Sequence, residues 1–185
     1  ACYVGTEGSG TGVQVIDLSN IDNLQVTLVR TITNPGRTHT LHVDNVSGFL
    51  YCCGSREALG TTMCFSLADP LNPVRVGANS LTGTTYQHET IVKTYTSGPY
   101  AGKQIMISGG EGRGVEIWDV TNKSAVTLIR RIAYPFVGYC HQSWFSADMR
   151  YLYANDELDE VDFPGQVPLT RTLVFDISVL ATADL

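Results

Sequence analysis

A chain that returns to one pattern at near-constant intervals buries its apolar surface by stacking each copy of the unit on the next. The runs VQVID, MCFS and VEIWD end at Asp17, Ser66 and Asp119, which are 49 and 53 residues apart, and a fourth run, TLVFD, ends at Asp176. His39, His88 and His141 follow at the same two intervals, each 22 residues after the end of its run. Periods of roughly 40 to 55 residues built from short apolar runs indicate propeller blades or a similar stacked array. A histidine in phase with such blades occupies the same place in each, which in a propeller is a ring around one axis.

Other segments keep this register. VTLVRTI (Val26 to Ile32) returns as VTLIRRI (Val126 to Ile132), and HTLHVDNVSGFLY (His39 to Tyr51) aligns without a gap on HQSWFSADMRYLY (His141 to Tyr153). Each unit reads as four short strands rich in Val, Ile, Leu, Tyr and Phe, punctuated by Gly, Asn, Asp, Pro and Ser. No stretch sustains a 3.6-residue period, so almost no helix is expected. The expected fold is all-β: propeller blades of four antiparallel strands, about three and a half of them in one unit over 1–185, with blade segments near 1–33, 39–77, 88–132 and 141–185. A propeller closes with typically four to eight blades. An open arc exposes sheet faces and edges, so these residues are expected to be a fragment of a longer propeller. The start at Ala1 rather than Met fits a processed or truncated product.

Composition narrows the partners. The net charge of −6 offers no basic patch to neutralise phosphates, which argues against nucleic acid and against an anionic membrane surface. No run of 18 apolar residues occurs, so no membrane span is expected. The five cysteines, Cys2, Cys52, Cys53, Cys64 and Cys140, include no CxxC. Cys64 could pair across strands with Cys52 or Cys53 in an oxidising compartment, or all could be small buried residues. Two sequons, at Asn45 and Asn122, fall in turns on one propeller face, and the histidines lie on the other. In a secreted eukaryotic protein, glycans there would leave the histidine face bare.

GPYAGKQI (Gly98 to Ile105), VEIWDVTNKS (Val115 to Ser124), YCHQSWFSADMRYLYANDELDE (Tyr139 to Glu160) and TRTLVFDIS (Thr170 to Ser178) together resemble the LVIVD-repeat, choice-of-anchor B family of β-propellers. The resemblance covers nearly the whole chain and is densest from Tyr86 to Ser178. The chain departs from the family in having His88-Glu89 where His-Asp is usual, and Ser143 where Gly precedes Trp144. The resemblance implies an extracellular or cell-surface propeller and supplies no activity, because fold does not fix function.

The candidate site lies on the histidine face. In this blade order the loop between the second and third strands returns beside the histidines. Those loops carry Arg56 and Glu57, then Glu111 and Arg113, then Asn155, Asp156, Glu157, Asp159 and Glu160. His39, His88 and His141 with Glu89, Asp156 and Glu157 offer imidazole and carboxylate to Zn, Cu, Fe or Mn. Asp156, Asp159 and Glu160 alone, all oxygen, would suit Ca²⁺. Against both, a strand-start histidine can simply bond a neighbouring blade's backbone, and acidic loops are usually solvated. His42, out of phase, reads as a strand side chain. Trp118 and Trp144 are expected to pack between blades. Asp17, Asp119 and Asp176 are expected to bond the backbone of the turns that follow them. No GxSxG occurs, and SGGEGRG (Ser108 to Gly114) lacks the GK[ST] of a P-loop. Three functions follow: an extracellular structural, adhesive or filament-assembly module, with a divalent metal or no cofactor; a metal-dependent oxidoreductase or hydrolase; or a propeller that binds protein partners, including its own copies, through its loops.

Overall fold

The computed structural model describes residues 1–78 and 86–185. Its strands form four antiparallel sheets, each a meander in chain order. The first holds β1 (Cys2–Val4), β2 (Val13–Asp17) and β3 (Thr27–Ile32), and the second β4 (Thr40–Asp44), β5 (Phe49–Ser55), β6 (Thr61–Ser66) and β7 (Val74–Ala78). The third holds β8 (Thr90–Thr94), β9 (Gln104–Gly109), β10 (Val115–Asp119) and β11 (Thr127–Ile132), and the fourth β12 (Cys140–Phe145), β13 (Tyr151–Asp156) and β14 (Thr172–Asp176). β8 lies against both β4 and β12, so the first strands of the second, third and fourth sheets are neighbours on the axial side. The architecture is that of β-propeller blades. Among the described residues the only α-helix is the single turn Asp159–Asp162, formed where the acidic run reads as loop.

The residues that end β2 in the first sheet and the third strands of the other sheets act as turn anchors. Asp17, Asp119 and Asp176 each accept the backbone N–H two residues on, from Ser19 (2.8 Å), Thr121 (2.9 Å) and Ser178 (2.9 Å). Ser66 does the same for Ala68. A side-chain acceptor at this position satisfies a turn donor that no ladder reaches.

Sheets pack face to face through apolar layers. Leu50, Cys52, Met63 and Phe65 meet Val13 of the first sheet. Tyr51 and Cys64, on the other face of the same strands, meet Met106 and Trp118. Ile105, Ile107 and Ile117 meet Leu152, Ala154 and Phe175. The inner strands β5 and β9 of the middle sheets are therefore buried on both faces, whereas β14 alternates strictly between buried and exposed. A strand with one covered face shows alternation and a strand with two does not.

That difference corrects the expectation for Trp144. Trp118 is fully buried between blades, but Trp144 is 65% exposed. Its side chain lies on the face of the fourth sheet turned away from the third, in register with Tyr153 and Val174, both also exposed. The five cysteines are free thiols. Cys52 and Cys64 belong to different inter-sheet layers and so point away from each other. Burial pushes the Cys64 thiol up to about 12 and Cys140 up to about 11, which keeps both protonated and unreactive.

The junction of the second and third sheets also holds a buried polar network. Glu116 is fully buried and accepts from Arg131 Nε (3.0 Å) and Nη2 (2.8 Å), Gln87 Nε2 (3.3 Å) and Trp118 Nε1 (3.3 Å). Gln87 also accepts the Thr62 N–H across the junction at 2.9 Å. Glu116 binds Trp118 of its own strand and Arg131 of the neighbouring strand in the same sheet, and the Gln87–Thr62 bond carries the network across to the second sheet.

Candidate metal centre

The three in-phase histidines enter the site from the head of each first strand. His39 N–H donates to Cys53 O at 2.9 Å, and His88 N–H to Gly109 O at 3.0 Å, both near the ends of second strands. His141 is skipped in the pairing of β12 with β13, where the register shifts between Cys140 and Gln142. Such a bulge re-aims a side chain that would otherwise follow the pleat.

The imidazoles form a row. Ring centroids of His39 and His88 are 3.9 Å apart, and those of His88 and His141 are 4.2 Å apart. Carboxylates close both ends: Glu7 lies 3.0 Å from His39 Nδ1, and Glu157 lies 3.7 Å from His141 Nε2. His88, in the middle, is 7% exposed, and its Nδ1 has no hydrogen-bond partner. His88, His141 and Glu157 each offer one ligand atom, all within 4.8 Å of one another. A buried nitrogen without a partner is costly unless something occupies it.

Burial, and then the neighbouring His39 and His141, pull His88 down to about 4. The unfolded imidazole titrates near 6.5, so between these values the unfolded chain binds the extra proton and stability falls as the pH drops. The metal-free protein is expected to lose stability progressively from about pH 6.5 to 4, and His88→Gln to lose less over that window; urea midpoints at each pH read this directly.

The remaining candidates separate. Glu89 is outside the trio; its backbone carbonyl accepts the Gly109 N–H at 3.0 Å. Asp156 is buried and committed to structure: it accepts the Tyr134 hydroxyl (2.7 Å) and the N–H groups of Gly138 (3.0 Å), Tyr139 (2.8 Å) and Leu158 (3.1 Å). It thus clamps the two loops that carry Tyr139 and Glu157. Asp159 is also buried, paired with Arg171 Nε at 2.6 Å, rather than facing solvent. Asp156, Asp159 and Glu160 do not converge as a calcium set, because burial turned two of them inward onto donors. His42 accepts the Val92 N–H at 3.3 Å, a blade-to-blade bond.

Three residues at the site are new. Glu7 precedes the first histidine. Tyr86 and Tyr139 each stand two residues before a histidine, a second in-phase repeat in the sequence. Tyr139 donates to Glu111 at 3.1 Å and Tyr86 to Glu7 at 3.4 Å, and both rings contact His88, at 5.3 and 6.3 Å between centroids. Glu111 holds a left-handed backbone at φ 52°, a conformation a non-glycine residue adopts at a cost.

Fold and site together define a β-propeller with a histidine–carboxylate cluster on its axial face. No protein-family model matches the sequence, and no curated protein matches it. Among solved structures the chain is similar to dihydro-heme d1 dehydrogenase NirN in complex with DHE, with a TM-score of 0.57 and 15% sequence identity. The match covers 83% of this chain and 29% of that one. At this identity the likeness is one of β-propeller fold. Among the described residues no helix is long and apolar enough to cross a membrane.

Proposed function

We propose that this protein is an extracellular or cell-surface β-propeller module that binds a divalent transition-metal ion on its axial face through His88, His141 and Glu157. One observation carries the reading: three ligand atoms of metal-binding type lie within 4.8 Å of one another, and one of the three residues, His88, keeps a buried ring nitrogen that no protein group satisfies. Two nitrogens and one oxygen suit Zn, Cu, Fe or Mn better than Ca²⁺, which takes six to eight oxygens. The extracellular setting is supported by the resemblance to LVIVD-repeat, choice-of-anchor B propellers. It is supported too by the exposed sequon residues Asn45 and Asn122, in turns at the sheet ends opposite the histidines. A structural, adhesive or filament-assembly role, through protein partners or further copies of the chain, is the part of the reading that follows from that resemblance.

Elemental mass spectrometry on protein dialysed against Zn²⁺ tests the site. Wild type is expected to retain one ion per chain, and the double variant His88→Ala, His141→Ala to retain none while keeping its β circular dichroism. Equal metal in the two proteins would remove the site.

A further inference from the structure

A cavity of about 160 Å³ lies between the first and second sheets, at the same end of the strands as the histidines. We infer that it binds a phosphate group, free or carried by a small molecule, through Arg37 and Arg56. The inference stands apart from the metal reading and uses none of its ligands.

Three loops build the cavity. The β1–β2 loop supplies its glycine-rich stretch 8–11, the β3–β4 loop Arg37, and the β5–β6 loop Arg56 and Glu57. Backbone bonds fix the two arginines side by side: Arg56 N–H donates to Arg37 O at 3.0 Å, and Glu57 N–H to Pro35 O at 3.2 Å. Gly36 closes the turn before Arg37 by donating to Thr33 O at 2.7 Å, and its φ of 71° is in the region that favours glycine. Arg131, Arg150 and Arg171 each pair with a carboxylate. Arg37 and Arg56 are exposed, and their guanidinium groups make no hydrogen bond or ion pair among the described residues. In a chain with 18 acidic against 12 basic residues, two uncommitted guanidinium groups at one cavity are a local reversal of sign. They repel each other, and an anion between them turns repulsion into attraction. The N–H groups of Ser9, Gly10 and Thr11 have no partner among the described residues either, so the loop adds backbone donors.

The ligand class follows from donors, size and charge. A guanidinium presents its N–H groups as a planar fork, and one fork is enough for a carboxylate. Two forks suit a phosphate group, whose oxygens can accept from both. The volume is below the roughly 300–1,000 Å³ of a pocket for a drug-sized ligand, so the cavity encloses the group and not a large molecule. Two guanidinium groups serve one phosphate, not the run of phosphates along a nucleic acid. Glu57 decides between phosphate and sulfate. Its carboxylate can only accept hydrogen bonds. A phosphate monoester keeps a proton at and below about pH 6 and can donate it there, whereas sulfate has none to give.

Titration calorimetry at about pH 6 and low salt tests the site with inorganic phosphate, methyl phosphate and sulfate. The protein is stripped of metal first, so that no ion at His88 takes the anion. One phosphate per chain is expected, bound at least about 10-fold more weakly by Arg37→Gln and by Arg56→Gln. Arg75→Gln, which removes an exposed arginine of β7 outside the cavity, should bind as wild type does. Methyl phosphate bound as tightly as inorganic phosphate would support a phosphorylated small molecule as the ligand, and inorganic phosphate bound alone would support the free ion. Sulfate should bind about 10-fold more weakly than phosphate, and Glu57→Gln should close that gap. No saturable phosphate binding, or equal binding by wild type and the double variant Arg37→Gln, Arg56→Gln, would overturn the site. Sulfate bound by wild type as tightly as phosphate would overturn the choice of phosphate.

Discussion

Replacing Arg131 by alanine is expected to cost about 3–5 kcal/mol of unfolding stability, the range for breaking a buried ion pair from one side. Glu116 is fully buried, and Arg131 supplies both of the charged hydrogen bonds to its Oε1. Without the guanidinium the carboxylate keeps only Gln87 Nε2 and Trp118 Nε1, both neutral donors at 3.3 Å. The reverse truncation, Glu116→Ala, is expected to cost less. The Arg131 side chain is 33% exposed and can turn its charge to water, leaving mainly two buried N–H groups to satisfy. Adding Glu116→Gln to Arg131→Ala should recover part of the loss, because the amide is neutral yet still accepts a hydrogen bond. Urea midpoints for wild type, Arg131→Ala, Glu116→Gln and the double variant form a double-mutant cycle. An Arg131→Ala cost within 0.5 kcal/mol of zero, the scale of an ordinary surface substitution, would show that the buried Glu116 carboxylate does not depend on this ion pair.

Gly109→Ala is expected to damage stability and site together. A Cβ at residue 109 would lie 2.3 Å from His141 O and 2.6 Å from Cys140 O. Both contacts are backbone, so no side chain can swing aside, and β12 must move. Overpacking of this kind costs about 1–3 kcal/mol. The displaced strand carries His141, so zinc affinity should fall about 10–100-fold, the range for disturbing the support of a metal ligand. Gly112→Ala is the control: a Cβ there meets nothing within 4 Å, and both readouts should stay at wild-type values. A Gly109→Ala protein with wild-type zinc affinity would mean that His141 is not held in place by this contact.

Much of the fold was legible because its causes are local and periodic. The strand-ending residues recur with the blades, and each performs the same hydrogen bond to the next turn. The three histidines recur too, and their rings do meet in a row. The Tyr-x-His pairs at Tyr86 and Tyr139 were equally periodic and could have been read in the same way. Glu7 was harder to read: it lies in the β1–β2 loop, of the same kind as the loops that carry Glu57, Glu111 and Glu157, but at no exact spacing to them, and the packing of the first sheet on the second brings it to His39. Trp144 misled because a large aromatic in a blade strand normally packs on the next blade, and its own sheet face is uncovered.

The acidic run from Asp156 to Glu160 marks the boundary between the two kinds of information. By sequence alone Asp156 and Glu157 were read with the histidines, and Asp156, Asp159 and Glu160 as a calcium alternative. In the structure neighbouring carboxylates have opposite fates. Asp156 is enclosed by one hydroxyl and three backbone donors, Asp159 is paired with Arg171, and Glu157 is left at the surface facing His141. Periodicity determines which residues share a height on the propeller, because repeated strands place repeated positions alike. Which of them is free to bind depends on the donors that fold against each carboxylate from other strands. Those donors come from positions as distant as Tyr134 and Arg171, so that choice belongs to the tertiary structure alone.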